Sequence, residues 1–600
     1  MVGTRRQPIG ARLALTVAAD IVNEGEETKL TNTRSRVLIA LAVAAAGISA
    51  LTVAGSAAPP QGPYLSNVST PNVKAVGFAP ASKLSTELRQ IAQAQGSTEL
   101  ENPNPAGLTS FYGYQNDAVS AGDPAKPQIL PTSTSPTEAQ KTEPDKNTYL
   151  VFDKSLPGAD PNYYYGTHFL FQGHELGTTI NGKKQGYVTR INLDADAKHR
   201  VTLMANQDTS GEPIQPIDGS TWDPWAKRLL FTTENASAPT YAATPDFPSV
   251  VEDVSGSLGR GGYEGIQNDS AGNLIIVEDI GGAIKTGSTA AKKPNSFVYR
   301  YVPAHPGDLH SGKLQVLQVL NAADQPITFT SESTFPSADQ TALHTYGNVF
   351  NTHWVTIHDT AVDGNAPFNA NVWAKGLQTT PAQPAAKQGT PFKRPENGQF
   401  RPGSDFTQFF FDETGDTDAT SSENGNPDTG VGGTGGWGGI FKLQQSPTSD
   451  SGKLSLFYKG NIHVTGLDNA SFLSKNKITF VEDAGDTLHT QRNALDSGYV
   501  FHLADRASGE EYAGGRGRAP QPVRFLAEGR DASATFDSMS GLSYNDGDNE
   551  ITGIHVSDGD PTVGGILGAK LPQPTTSPAW RTFWTQQHGD NTTWEISWNN

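Results

Sequence analysis

From Tyr149 to the C-terminus the chain alternates brief apolar runs with clusters of Gly, Asp, Asn and Pro. The runs HFLFQG, GYVTRINL, RLLFTTE, NLIIVED, FVYRYV, KLQVLQVL, QFFFDE, ITFVED and GYVFHL are short and rich in β-branched and aromatic residues. Such runs, bounded by turn formers, predict strands. No long stretch carries a helical period. The exception is Ser82 to Gln95, where an N-cap serine and the apolar spacing predict one short helix. The pattern as a whole predicts an all-β chain of many short strands.

Beneath that texture lies a loose repeat. WDPWAKRLLFTTEN, DSAGNLIIVED, RPGSDFTQFFFDET and LSKNKITFVED each join a turn, a short strand and then one or two acids. Repeating antiparallel units suit a β-propeller, because radial repetition leaves few open sheet edges; a pair of β-sandwiches is the structural alternative. Long loops at 283–295, 376–393 and 414–438 interrupt the repeat. The Pro/Ser/Thr-rich residues 121–146 read as an exposed linker. The expected division is an export segment over 1–57, an N-terminal extension with the short helix over 58–148, and a propeller over 149–600.

In a propeller, equivalent strand ends converge, so an acid at one place in each repeat becomes a ring of acids. Glu234, Glu278-Asp279, Asp412-Glu413 and Glu482-Asp483 are the candidates. Gathered carboxylates repel, and hard oxygen donors in such number suit calcium. The alternative is that each acid caps its own turn.

Composition narrows the partners. A formal net charge of −18 over 600 residues argues against nucleic acid, which needs clustered Lys and Arg. With Cys 0, disulfides, thiolate nucleophiles and Cys-bound zinc are excluded. Arg34 and Arg36 precede the apolar run Val37 to Ala54, which leaves through Ala54-Gly55-Ser56-Ala57-Ala58. That layout predicts a signal peptide around 34–57 and an exported, periplasmic or extracellular protein, with no stable membrane insertion after cleavage. An uncleaved anchor is the alternative. His174-Glu175 opens like a zinc-protease motif, but Thr178 stands where the second His belongs. Neither a G-x-S-x-G elbow nor a phosphate-binding P-loop occurs. Asp546, Asp548 and Glu550 alternate without completing an EF-hand.

Several segments, taken in order, resemble the PhoX family of alkaline phosphatases. Phe392-Lys-Arg394-Pro395-Glu396-Asn-Gly398 is similar to its F-x-R-P-E-x-G signature. Gly219 to Trp225, followed by Phe231 to Asn235, resembles G-T-x-x-P-W-G-T-x-L-x-C-E-E-N, and Gly259 to Glu264 resembles G-R-F-x-H-E. Glu278-Asp279, Leu467-Asp468-Asn469 with Glu482-Asp483, Glu550-x-Thr552-Gly553 and Gln587-His588-Gly589 follow in the family's order. The match runs from about Phe169 to the C-terminus.

The resemblance implies a six-bladed propeller that hydrolyses phosphate monoesters, with calcium and, in some members, iron. By motif position it implies Glu234, Glu264, Glu396 and Glu550 as metal ligands, with Glu278, Asp279, Glu482 and Asp483 beside them. It makes Arg394 and Glu396 catalytic, and Arg394 and His588 the groups against the substrate; a guanidinium grips two phosphate oxygens at once. Thr233 stands where the iron-binding Cys is expected, and a hydroxyl is a poor iron ligand beside a thiolate. Asn235 replaces one acid and Tyr263 the family's His. The implied partner is a small phosphate ester. A calcium-dependent lactonase or esterase-like propeller and a non-catalytic calcium-binding propeller are the rival readings.

Overall fold

The apolar runs form strands because each finds an antiparallel neighbour. In the computed structural model, residues 65–74, 81–104, 109–114, 141–175, 179–180, 182–283, 292–328, 337–376, 388–416, 435–503, 521–529, 550–573, 579–587 and 591–599 are described. The chain is mostly β, with a few short helices such as Ala338–Leu343 and Gly485–Arg492. Among the described residues no helix is long and apolar enough to cross a membrane. The signal region 34–57 and His588 lie outside the described residues, as do most of the three long loops.

Among the described residues six four-stranded units follow one another along the chain. Sheet one holds Pro144–Val151, His168–His174, Tyr187–Asn192 and Val201–Ala205; sheet two holds Ser220–Asp223, Arg228–Phe231, Tyr241–Ala243 and Val251–Asp253. Sheet three runs from Tyr263–Asn268 through Leu274–Glu278 and Val298–Pro303 to Gly312–Val319. Sheet four comprises Gly398–Phe400, Gln408–Glu413, Gly439–Gln444 and Ser451–Lys459, and sheet five Leu467–Ser474, Lys477–Glu482, Ser497–His502 and Val523–Ala527. Sheet six joins Glu550–Ser557, Arg581–Gln587 and Thr593–Trp598 to Leu88–Ala94 from near the other end of the chain. The strand Phe350–Asp359 pairs with the outer strands of sheets three and four and fuses them into one nine-stranded sheet. Two exposed edges are thereby covered.

The first strands of the six sheets touch in sequence, and the sixth returns to the first, so they close a ring. Their approach is close enough to demand glycine. A Cβ on Gly219 would strike the carbonyl oxygen of Glu264, and one on Gly265 would lie 2.9 Å from the Cα of Asn397. Apolar clusters fill the spaces between sheets, for example Leu229, Phe231, Phe169 and Phe171 between the first two.

One expectation about the N-terminal part is corrected. Ser82 to Gln95 is not a helix: Lys83–Leu84 pairs with sheet five and Leu88–Ala94 with sheet six. The apolar spacing there reads as helical, but the open edge of Thr593–Trp598 offers the backbone a full set of partners, and tertiary pairing outweighs propensity. The strand Pro144–Val151 spans the expected boundary at 148/149, and the last residues of the expected linker belong to it. Trp584 is fully buried in sheet six, stacks on Trp594 at 6.0 Å and donates to Gln90 Oε1 at 3.2 Å. Trp584→Ala is expected to cost about 3–5 kcal/mol, read as a lower urea midpoint at unchanged slope.

Candidate functional site

In an antiparallel hairpin the start of the first strand and the end of the second lie at the same edge. Around the ring, these edges gather at one mouth. Sheet one brings Asp145 from its first strand and Glu175 after its second. Asp218 and Glu234 flank the corresponding positions in sheet two; Glu264 and Asp279 do so in sheet three, and Glu396 precedes sheet four. Three overlapping groups result: Asp145, Glu175 and Asp218; Asp218, Glu234 and Glu264; Glu264, Asp279 and Glu396. Within each group one oxygen per residue lies within 4.8 Å of the others.

Burial and mutual repulsion decide the protonation of this cup. Desolvation, with neighbouring carboxylates adding to it, pushes the Asp145, Glu175, Glu264, Glu396 and Asp468 carboxyls well above the ordinary range. Burial lifts Asp218 to about 7. Glu264 Oε1 is buried and has no hydrogen-bond partner among the described residues. An all-oxygen donor set with such an orphan fits a hard divalent cation, calcium above all. The thiolate expected for iron is absent from it. Thr233 Oγ, at the position the resemblance gives to the iron ligand, donates to Pro239 O at 2.9 Å.

Arg394 sits at the rim of the cup. Its Nε contacts both Asp279 oxygens at 2.8 Å, Nη2 lies 2.6 Å from Asp279 Oδ2, and Nη2 lies 3.5 Å from Glu396 Oε1. The side chain remains 17% exposed. Its backbone is left-handed, with φ 56, directly before Pro395. A non-glycine residue holds that conformation only where its surroundings impose it. Here Thr414 N donates to Arg394 O at 2.8 Å, Lys393 N donates to Glu413 Oε1 at 2.8 Å, and the fully buried Lys393 Nζ pairs with Asp416 at 2.8 Å. Thr414 Oγ donates to Glu396 Oε1 at 2.5 Å.

Of the residues singled out in the sequence, Glu234, Glu264, Asp279 and Glu396 meet in the cup, with Arg394 beside them. Glu278 and Glu482 are in none of the three close groups. Glu278 accepts from Phe297 N, Tyr299 Oη and Asn371 Nδ2 at 3.0, 3.1 and 2.9 Å, and Glu482 pairs with Arg492 at 2.9 Å. Side chains alternate along a strand, so of each adjacent acid pair only the second, Asp279 or Asp483, turns toward the ring's interior. Asp483 stands within electrostatic range of Asp145 and Asp468. Glu550 adjoins Glu528 and His489 and is in none of the three close groups. Asp412 and Glu413 brace the Arg394 loop, through Asn397 N and through Lys393 N with His344.

The sequence did not single out Asp145 or Asp218, and it marked Glu175 and Asp468 only within other motifs, not as members of this group. One signal was present: Asp218-Gly219, Glu264-Gly265, Glu396-Asn397 and Asp468-Asn469 all set an acid before Gly or Asn where a sheet begins.

The comparisons with known proteins follow this geometry. No family model matches the chain, and no curated protein matches it. The chain is similar in structure to PhoX of Pseudomonas fluorescens. That protein, solved in complex with vanadate as a transition state analogue, aligns at TM-score 0.48 and 12% identity over 89% of this chain and 98% of its own. A periplasmic gluconolactonase of Pseudomonas aeruginosa, PpgL, aligns at TM-score 0.26 and 13% identity over 74% of this chain and 98% of its own. A putative gluconolactonase aligns at TM-score 0.25 and 12% identity over 64% and 88%.

Proposed function

We propose that the chain is a six-bladed β-propeller that hydrolyses phosphate monoesters in a calcium-dependent reaction, exported to the periplasm or cell exterior. The observation that carries this reading is the convergence of seven carboxylates from four consecutive sheets on one mouth of the ring, with Arg394 fixed at their rim. The order of PhoX-like segments along the chain supports it. Calcium held by these oxygens would neutralise charge on a bound phosphoryl group. Glu234, Asp218, Glu264, Asp279 and Glu396 would hold it. The protein's own part is then positional. Asp279 orients the Arg394 guanidinium, whose planar fork suits two phosphoryl oxygens, and Thr414 orients Glu396. The substrate is a small phosphate ester; the net charge of −18 disfavours nucleic acid.

One feature favours a second reading. Glu396, Asn397, Asp468 and Asn469 lie together at the ring's centre, and mixed Glu, Asn and Asp oxygens around one metal also suit a lactonase. A panel of an aryl phosphate and simple lactones separates the two. Phosphate release is expected to disappear with a chelator, to return with calcium, and to be lost in Glu396→Gln while the fold survives. Lactone opening without phosphate release would replace this reading with the second one.

A further inference from the structure

Lys146 crosses the ring. It belongs to the first strand of sheet one, yet its Nζ reaches Asn397 Oδ1 at 2.6 Å, at the start of sheet four on the opposite side. Asn397 Nδ2 in turn donates to Asn469 Oδ1 at 3.0 Å, and Asn469 Nδ2 to Thr552 O at 2.6 Å. A polar floor thus runs beneath the carboxylate cup through sheets one, four, five and six. Lys146 also lines a cavity of about 30 Å³, together with Ser220, Gln267, Asn268 and His555, among others.

Lys146 is 1% exposed. A buried ammonium is costly unless opposite charge surrounds it. The hydrogen-bond partner of its Nζ is a neutral amide; burial pulls the ammonium down to about 8, and Asp468, Asp145, Asp218 and Asp412, from sheets five, one, two and four, favour its charged form electrostatically. The same carboxylates would otherwise call for another cation.

We infer that Lys146 is a resident counter-cation: it closes the ring's axis under the cup and occupies the place of one divalent ion, and so limits how many the ring takes up. This rests on the reading that the cup binds calcium. Removing the side chain in Lys146→Ala opens a space at Asn397 Oδ1, within electrostatic range of Asp468, Asp145, Asp218 and Asp412, all of them hard oxygen donors suited to calcium. The guanidinium of Lys146→Arg keeps the charge in place.

The test uses the purified full chain, stripped of metal and re-equilibrated with calcium alone, with bound calcium per chain measured by elemental analysis and titration calorimetry. Lys146→Ala is expected to bind one more calcium per chain than the parent, and Lys146→Arg the parent's number. An unchanged number and affinity in Lys146→Ala overturns the inference while leaving the cup's cation binding intact. A parent that binds no calcium overturns the cation reading itself. If Lys146→Ala is unfolded without metal, calcium is expected to restore its cooperative melt. Failure of calcium to restore it means the lysine is structural, and the inference falls.

Discussion

Arg394→Ala is expected to lower kcat for an aryl phosphate by about 10²–10³-fold, the usual cost of removing one fixed donor from a developing oxyanion. The melting temperature should stay close to the parent's. A flexible arginine at a pocket rim contributes mainly long-range attraction, whereas Arg394 is held from both ends. Its backbone is locked left-handed before Pro395 and tied to Thr414, and its guanidinium is clamped by Asp279. A group held this way acts without reorganising when charge develops on the substrate. Because the effect belongs to the transition state, kcat falls more than KM rises. Arg394→Lys keeps the charge and loses the fork, so it should recover only a small part of the rate. A kcat for Arg394→Ala within about threefold of the parent's would remove Arg394 from the machinery.

The fold was largely legible because its unit is local. Turn, strand and acid recur within some fourteen residues or fewer, as in DSAGNLIIVED and LSKNKITFVED, and these segments form the second strands of sheets three and five with their flanks. What was not legible is what depends on distant pairing. Leu88–Ala94 reads as a helix by its own spacing and is a strand only because Thr593–Trp598, some five hundred residues away, leaves an edge open. The site divides in the same way. Period-two alternation was enough, in principle, to separate Asp279 from Glu278, since adjacent side chains on a strand cannot both face one pocket. Asp145 and Asp218 were invisible to a search built on strand ends, because they sit at strand starts. Only the antiparallel return brings those two places together. Lys146 could not be read at all: nothing in Pro144–Val151 says that its side chain ends against Asn397, 251 positions away in the chain.

The second large effect concerns pH. Calcium's stabilisation of the folded chain is expected to grow as pH rises from about 5 to about 7, by several kcal/mol in total. Without metal, the cup's carboxyls hold their protons to higher pH than the unfolded chain does. Asp218 titrates near 7 against an ordinary 3.8, and Asp145, Glu175, Glu264, Glu396 and Asp468 are all raised by burial. A raised carboxyl means the folded state binds more protons across that window, so its contribution to stability is complete at low pH and is lost as pH rises through the folded value. For Asp218 alone the loss is on the order of 4 kcal/mol between its ordinary value and about 7, of which roughly 2–3 kcal/mol falls above pH 5. Calcium removes it by pairing with the ionised form. Other groups also titrate nearby: burial holds His174 and His555 down to about 3, and these gain stability as pH rises. They lie outside the three close carboxylate groups, so they act alike with and without calcium and cancel in the difference. Glu87, Asp194, Asp196 and Asp560 are lowered and titrate below the window. The measurement is a urea midpoint for stripped and calcium-loaded protein at each pH. A gap between the two that stays constant or narrows toward neutral pH would mean that the cup's protons and calcium do not compete for the same oxygens.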